Sequence, residues 1–308
     1  GRTKAVDAFL EELAHQKPPP DDWCYVNNFS DSYRPRVCRL PSGKGRALAA
    51  DMEHLIEQAR QEIPKAFESD EYTNRVKAIG EEIASRRESL LAELNREAEQ
   101  ANFVIQPSPV GLLIVPILGG EPLSERAFLT LAEPVREELR QRRHMLEEQV
   151  TKTMKVLRQD DREAQEKIKQ LDSEVTLFVV GGLLEDLIER YQSTADVAAF
   201  LGDVRDDIIR NVDQFRGRDE PQQTPAMLAP WIQDLPFRKY QVNVVVDNSS
   251  LQAAPVVIEP NPTYSNLIGR IEKEAQFGAL YTDFTLIKAG SLHRANGGYR
   301  DPSVEVAS

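Results

Sequence analysis

The sequence predicts an α+β protein that is mostly helical. Charged residues make up 29% of its 308 residues and aromatic residues only 7%, which is typical of long solvated helices. Apolar residues recur at helical spacing over much of the middle of the chain, whereas β-branched and aromatic runs are short. A chain of this length is expected to form about two structural units.

The N-terminal part is predicted to be a helix followed by two strands. Apolar residues between 6 and 13 have helical spacing, and three prolines at 18–20 end the helix. The aromatic and β-branched run Trp23 to Phe29 predicts a strand, and residues 37–40 predict a second one. The next helix is expected from about 46 to 63, ending before Pro64.

Two helices in the middle of the chain are predicted to pair as an antiparallel coiled coil. Between Tyr72 and Leu94 the apolar residues step by three, four or seven positions, which is a narrow heptad-like seam, and a similar seam runs over 135–191. Gly181 and Gly182 are candidate points of interruption. The apolar and proline-containing run at 103–118 predicts a β-hairpin at the tip of a projecting arm.

The predicted domain organisation is a core in two separated pieces with a helical insertion. The core pieces are residues 1–45 and 237–308, and the inserted helical domain is 46–216. Residues 217–236 are rich in proline, glutamine and charge and predict a linker, with Trp231 as the one large apolar anchor.

Further elements are expected on both sides of this linker. Thr194 to Phe215 predicts an amphipathic helix with Thr194 as its N-cap. Tyr240 to Asp247 and Val256 to Ile258 predict strands. The glycines that follow, between 269 and 298, are typical of loops around a ligand or a pore.

Charge and cysteine content exclude several classes of function. A net charge of -12 and a pI near 5.0 disfavour nucleic-acid binding, because that affinity comes largely from Lys and Arg. No apolar run reaches the length of a membrane span, so we expect a cytoplasmic protein. The two cysteines, Cys24 and Cys38, cannot build a disulfide framework or a metal quartet, and are expected to be buried thiols.

Five motifs occur in an order that resembles the bacterial Lon-related AAA+ proteases. They are WCYVNNF at 23–29, RLPSGKG at 39–45, YQVNVVVD at 240–247, EPNPTYSNLIGRIE at 259–272 and HRANGGY at 293–299. The resemblance implies a partial AAA+ α/β core, interrupted by the helical domain and lying between the two nucleotide-binding motifs of that family.

The resemblance also implies ATP and Mg as cofactors of the parent protein, assembly into hexamers, and a serine activated by lysine in a separate peptidase domain. Gly1, Arg2 and Thr3 correspond to the end of the family's phosphate-binding loop, with Arg2 at the lysine position. The alternative is that Gly1 is a cloning remnant and Arg2 opens a helix. Asp301 and Glu305 are not credible magnesium-organising acids because Pro302 interrupts the strand. No hydrolysis is therefore assigned to this chain. Binding of ATP is expected to be weak or absent, because only the end of the phosphate-binding loop is left.

No catalytic residue and no metal site is predicted here. The four histidines lack a matching nucleophile and acid, so enzyme activity of this chain is left open. His293 and Arg294 are expected either to orient the following strand or to reach a neighbouring subunit's phosphates.

Two groups of residues are candidates for contact with unfolded polypeptide. By resemblance, the first is a channel loop with Tyr264, Leu267, Ile268 and Gly269, and the alternative is burial of these residues under the sheet. The second is the hairpin run Leu112, Leu113, Ile114 and Val115. Its alternative is that the hairpin packs on its own arm or contacts an adjacent arm.

These expectations combine into one functional hypothesis. The chain recruits or channels substrates within a Lon-like ATP-dependent serine protease that degrades unfolded or damaged proteins. The alternative is a non-catalytic interaction module or a chaperone-like coiled-coil module. A DNA-remodelling role is disfavoured by the acidic charge.

Overall fold

A computed structural model describes residues 2–108, 111–217, 234–276 and 279–301. Its helices are α1 (Arg2–His15), α2 (Lys44–Phe67), α3 (Asp70–Gln100), α4 (Glu125–Leu129), α5 (Glu133–Tyr191), α6 (Ala195–Arg210), α7 (Val212–Phe215), α8 (Tyr264–Ile268) and α9 (Ser291–Arg294). Two 3₁₀ helices are Leu235–Tyr240 and Phe284–Leu286.

The strands are short and form several small sheets. They are β1 (Asp22–Val26), β2 (Arg36–Leu40), β3 (Phe103–Ser108), β4 (Gly111–Leu118), β5 (Glu121–Pro122), β6 (Val242–Val246), β7 (Val256–Ile258), β8 (Gly269–Ile271), β9 (Glu274–Gln276), β10 (Ala279–Tyr281), β11 (Ile287–Ala289) and β12 (Tyr299–Asp301). One sheet has the order β2-β1-β6, and another has the order β3-β4-β5. β8 pairs antiparallel with β11, β9 with β10, and β7 pairs parallel with β12. The predicted class, α+β and mostly helical, is confirmed.

The chain divides into two compact units. Unit 1 consists of residues 1–67 and 173–308, and unit 2 of residues 68–172. Within unit 1 the N-terminal and C-terminal parts meet in one sheet, because β1 pairs antiparallel with β6. The predicted domain boundaries at 45, 216 and 236 stay a prediction.

A buried carboxylate joins three distant segments of unit 1. Asp22 is fully buried, and its two oxygens accept hydrogen bonds from the backbone N–H of Gly45 at 2.9 Å and of Asn248 at 2.8 Å. Ser42 donates to the backbone carbonyl of Asn248 at 2.7 Å. The start of β1, the turn before α2 and the loop after β6 are therefore tied together through satisfied polar groups.

Helix α2 does not end before Pro64, as the sequence predicts, but continues to Phe67. A proline in a helix interior removes one backbone hydrogen bond and costs about 3 kcal/mol. Ile63 and Phe67, on either side of it, are both buried. Burial of two such side chains contributes about 1.5–3 kcal/mol each and offsets this cost.

Helix α5 runs through Gly181 and Gly182 without interruption. Within unit 2 it lies antiparallel to α3. The Tyr72 hydroxyl donates to Asp172 at 2.7 Å, Lys167 to Glu82 at 2.8 Å, and Arg87 to Asp161 at 2.8 Å. Since residue numbers rise on α3 as they fall on α5, the predicted antiparallel pairing is present. A regular coiled coil stays a prediction.

The predicted hairpin is also present, as β3 and β4 pair antiparallel from Phe103↔Pro116 to Ser108↔Gly111. Pro109 and Val110, which the prediction places between them, lie outside the described residues. Ile114 packs in a hydrophobic cluster with Ala98, Phe103 and Leu146. The hairpin is therefore anchored on the helices of its own unit.

Cys24 and Cys38 are free, buried and directly opposite each other on β1 and β2, as expected of reduced thiols. Burial is the main cause that raises the pKa of each thiol to about 12. None of the described helices is both long and apolar enough to cross a membrane.

The helix predicted from Thr194 to Phe215, before the predicted linker, is present but differs in its cap and its continuity. Thr194 precedes α6, but its side chain makes no capping hydrogen bond, and the predicted single helix is divided at Asn211 into α6 and α7. Trp231 lies outside the described residues, as does the segment 302–308.

Candidate functional site

The segment that carries Tyr264, Leu267, Ile268 and Gly269 is a single capped turn of helix. Thr263 is the N-cap of α8, and its hydroxyl accepts a hydrogen bond from the backbone N–H of Asn266 at 3.3 Å. The Asn266 side chain donates to the carbonyl of Asn261 at 2.9 Å. These local bonds fix the entry into the turn.

Two glycines fix the exit from this turn through close backbone packing. Gly269 has φ +101°, which favours glycine, and a Cβ there would lie 2.4 Å from the Lys288 carbonyl oxygen. A Cβ on Gly290 would lie 2.3 Å from the Leu267 carbonyl oxygen. Both glycines therefore permit β8 and β11 to approach, which gives them a packing role that the loop interpretation missed.

Several apolar side chains of this part of the chain face solvent. Tyr264 is 77% exposed and Ile268 is 42% exposed, whereas Leu267 is half-buried. Ile271 on β8 and Leu280 on β10 are exposed to 61% and 72%, and the sequence interpretation did not select them. Strand alternation in such short strands is too brief to indicate which face is buried. We call Tyr264, Ile268, Ile271 and Leu280 the exposed apolar set.

An arginine supports the β9–β10 pair, which carries Leu280. Arg238 donates to the Thr285 hydroxyl at 2.9 Å, pairs with Asp283 at 3.4 Å and lies 4.6 Å from the centre of the Tyr281 ring. Burial, followed by a hydrogen bond to Asp283, raises the pKa of Tyr281 to about 12. These contacts hold β10 through Tyr281 while Leu280 faces solvent.

His293 and Arg294 contact residues of their own chain. Arg294 lies 3.6 Å from the carboxylate of buried Glu259, and the His293 ring meets Trp23 edge-on with centroids 6.1 Å apart. Both contacts tie α9 to neighbouring segments. They support the orienting role, and the role at a subunit boundary stays a prediction.

The hairpin residues differ in exposure. Ile114 is buried in the cluster described above, Leu112 and Val115 are half-buried, and Leu113 is 48% exposed. Of these four, Leu113 is the side chain most available to a partner. For Ile114, the structure therefore agrees with the alternative that the hairpin packs on its own arm.

The N-terminal candidates that the structure describes lie at the start of helix α1. Gly1 lies outside the described residues, and Arg2 and Thr3 open α1. A helix N-terminus favours phosphate, but a cradle also requires successive amides of a loop. No group of three or more metal-binding side chains occurs in the part of the chain that the structure describes.

Comparison with known protein families gives two matches. Residues 252–300 match the family described as LonB-like, AAA domain, and residues 22–55 match the Lon-like LonC helical domain. None of the curated proteins compared with the chain matches it. The first matched segment contains the exposed apolar set and α9, and the second contains β1, β2 and the start of α2. In these two segments the chain is similar to Lon-related AAA+ protein families.

Proposed function

We propose that this chain recruits and channels polypeptide substrates within a Lon-like ATP-dependent serine protease that degrades unfolded or damaged proteins. The observation that carries the proposal is the exposure of Tyr264, Ile271 and Leu280 inside the segment that matches the AAA domain. Exposed apolar side chains on a fixed backbone suit a partner of undefined sequence, because apolar contact needs no particular hydrogen-bonding pattern.

The AAA match supports nucleotide binding by the parent protein, with ATP and Mg as the expected pair. Of the residues that the resemblance assigns to the phosphate-binding loop, the structure describes Arg2 and Thr3, which open α1, and we derive no step through ATP. We likewise propose for the parent protein a serine and lysine pair that carries out proteolysis, assembly into hexamers, and a cytoplasmic location. Arg294 is a candidate for contact with a neighbouring subunit.

Leu113 on the hairpin supports a second candidate function. A half-exposed leucine beside an anchored Ile114 can contact polypeptide without unfolding the hairpin. A chaperone-like module would use this contact without proteolysis.

The test is made in the full-length protein with the variant Tyr264→Ala/Ile268→Ala. We expect slower degradation of an unfolded protein and unchanged hydrolysis of a short fluorogenic peptide, because a short peptide needs no channelling. Tyr33→Ala is the matched control, since Tyr33 is also exposed, at 95%, but lies outside residues 252–300.

Unchanged degradation by the double variant would contradict the proposal. Loss of aggregation suppression in Leu113→Asp, together with no proteolysis by the wild type, would instead favour the chaperone-like function.

A further inference from the structure

The outer edge of β4, the edge that faces away from β3, is only partly occupied. β5 pairs with the last two residues of β4, Ile117 and Leu118, and the backbone N–H of Leu123 donates to the carbonyl of Pro116 at 2.8 Å. The chain then leaves the edge, because Ser124 is the N-cap of α4. Among the described strands, β4 pairs with β3 and β5 alone.

The direction of the backbone groups of β4 follows from its observed hydrogen bonds. The N–H of Ile117 donates at 2.8 Å to the carbonyl of Asn102, directly before β3. Since successive residues of an antiparallel strand point to opposite sides, the backbone groups of Leu112, Ile114 and Pro116 point to the outer edge. Pro116 fits this direction, because a residue that points away from β3 donates no hydrogen bond to it and proline has no N–H.

Two residues of this edge keep unused backbone groups. The Pro116 carbonyl is occupied by Leu123, but among the described residues no hydrogen bond is made to the outward N–H or C=O of Leu112 or of Ile114. Residues 111–115 contain no charged residue and no proline, which are the usual protections of an edge strand. The edge is therefore open from Leu112 to Ile114.

The open edge is held in place by the core of unit 2. The Ile114 side chain is 5% exposed and packs with Phe103 and Leu146, so the strand needs no partner to keep its position. On the opposite face of the hairpin, Leu113 is 48% exposed. An added strand would therefore meet two N–H groups, two carbonyl groups and an apolar side chain.

We propose that the open edge of β4 binds an extended apolar segment of unfolded polypeptide as a short added strand. Main-chain pairing supplies the hydrogen bonds whatever the side chains of the added strand are, which suits a partner of undefined sequence. This proposal rests on the second candidate function and deepens it, because it adds backbone pairing to the side-chain contact of Leu113.

The length of the open edge favours a passing polypeptide over a second copy of the chain. Stable interfaces between proteins bury about 1,200–2,000 Å². Three residues of strand span about 10 Å, so two such edges paired with each other cover much less than this. A transient contact needs no larger surface.

The test is fluorescence anisotropy with the whole chain and fluorescein-labelled Thr-Val-Leu-Val-Thr. Leu112→Pro removes one outward N–H and no bond to β3, so it is expected to bind about threefold to tenfold more weakly than the wild type, because one hydrogen bond is lost. Leu112→Ala keeps the N–H while shortening the side chain, and as the matched control it is expected to bind close to the wild type. A peptide methylated at every internal amide nitrogen is expected not to bind, because it cannot pair as a strand.

Full binding of the N-methylated peptide, or equal binding by Leu112→Pro and Leu112→Ala, would overturn the proposal. If Leu113→Asp alone abolished binding, the second candidate function would stand with a side-chain contact and the added strand would be wrong. No binding by the wild type would show that the edge is too short to pair. Dimers seen by light scattering and lost in Leu112→Pro, with no peptide binding, would assign the edge to a second copy. Circular dichroism of each variant checks that the fold is kept.

Discussion

Gly290 lies directly against the backbone of Leu267, so that a Cβ at Gly290 would be 2.3 Å from the Leu267 carbonyl oxygen. This contact packs the last turn of α8 against the residue that follows β11. The segment that carries Tyr264 and Ile268 is therefore in contact with a glycine more than twenty positions later in the chain. The backbone geometry of the candidate site is fixed by this approach of β11.

Gly290→Ala is expected to destabilise unit 1, because a Cβ in this position forces two backbone segments apart. The measurement is the midpoint of thermal unfolding by circular dichroism, which is expected to fall. Gly182→Ala is the matched control. Its Cβ would meet nothing within 4 Å in the interior of α5, so it is expected to stabilise the protein by about 0.5–1 kcal/mol. Equal effects of the two variants would contradict the packing role of Gly290.

Asp22→Ala is expected to cost about 2–5 kcal/mol, because it leaves the buried N–H groups of Gly45 and Asn248 without acceptors. Urea unfolding of the variant gives this number directly. Asp21→Ala, at the exposed neighbouring position, is expected to change stability by less than about 0.5 kcal/mol. A neutral result for Asp22→Ala would mean that the three segments do not depend on this carboxylate.

Ile114→Ala and Leu113→Ala separate structural and contact roles within the hairpin. Ile114 lies in the core of unit 2, so its truncation is expected to cost about 2–4 kcal/mol. Leu113 is half-exposed, and its truncation is expected to cost less than about 1 kcal/mol. Denaturant unfolding measures both. The reverse order would place Leu113 in the core and remove it as a contact residue.

The buried thiols predict a loss of stability at alkaline pH. Folding raises the pKa of Cys24 and Cys38 from 9.0 to about 12, so the folded state retains protons that the unfolded state releases. Their contribution is fully present below pH 9 and declines as pH rises toward 12. Unfolding free energies measured between pH 8 and about 10.5 are expected to fall more steeply for the wild type than for Cys24→Ala/Cys38→Ala.

Tyr281, whose pKa is also raised, contributes a decline in the same direction to both proteins. The difference between the two slopes therefore isolates the thiols. Identical slopes would contradict the burial of the cysteines, as would rapid reaction of the native protein with a thiol reagent at pH 8.

Long periodic segments are predicted well from this sequence, and site geometry is not. The seam over 135–191 gives the long helix α5, because its signal repeats over many residues. The apolar run with turn residues at 103–118 gives the hairpin. The helix end predicted before Pro64 is wrong, because burial of Ile63 and Phe67 outweighs the cost of a proline inside a helix. Local propensity does not include tertiary packing.

The candidate site depends on contacts between distant segments, which one sequence does not display. Tyr264 and Ile268 were selected by resemblance, but the exposure of Ile271 and Leu280 follows from how β8 and β10 pair. The glycines at 269 and 290 were interpreted as loop residues, because their partners, the carbonyls of Lys288 and Leu267, are identified only by the fold.

The most direct test of the substrate-contact proposal is site-specific photo-crosslinking in the full-length protein. A photoreactive phenylalanine replaces Tyr264 in one variant and Tyr33 in the other, two exposed tyrosines of unit 1, and each variant is irradiated with a labelled unfolded protein. If Tyr264 contacts substrate, a crosslinked product is expected at position 264 and little or none at position 33. Equal yields at both positions, or none at 264, would contradict it.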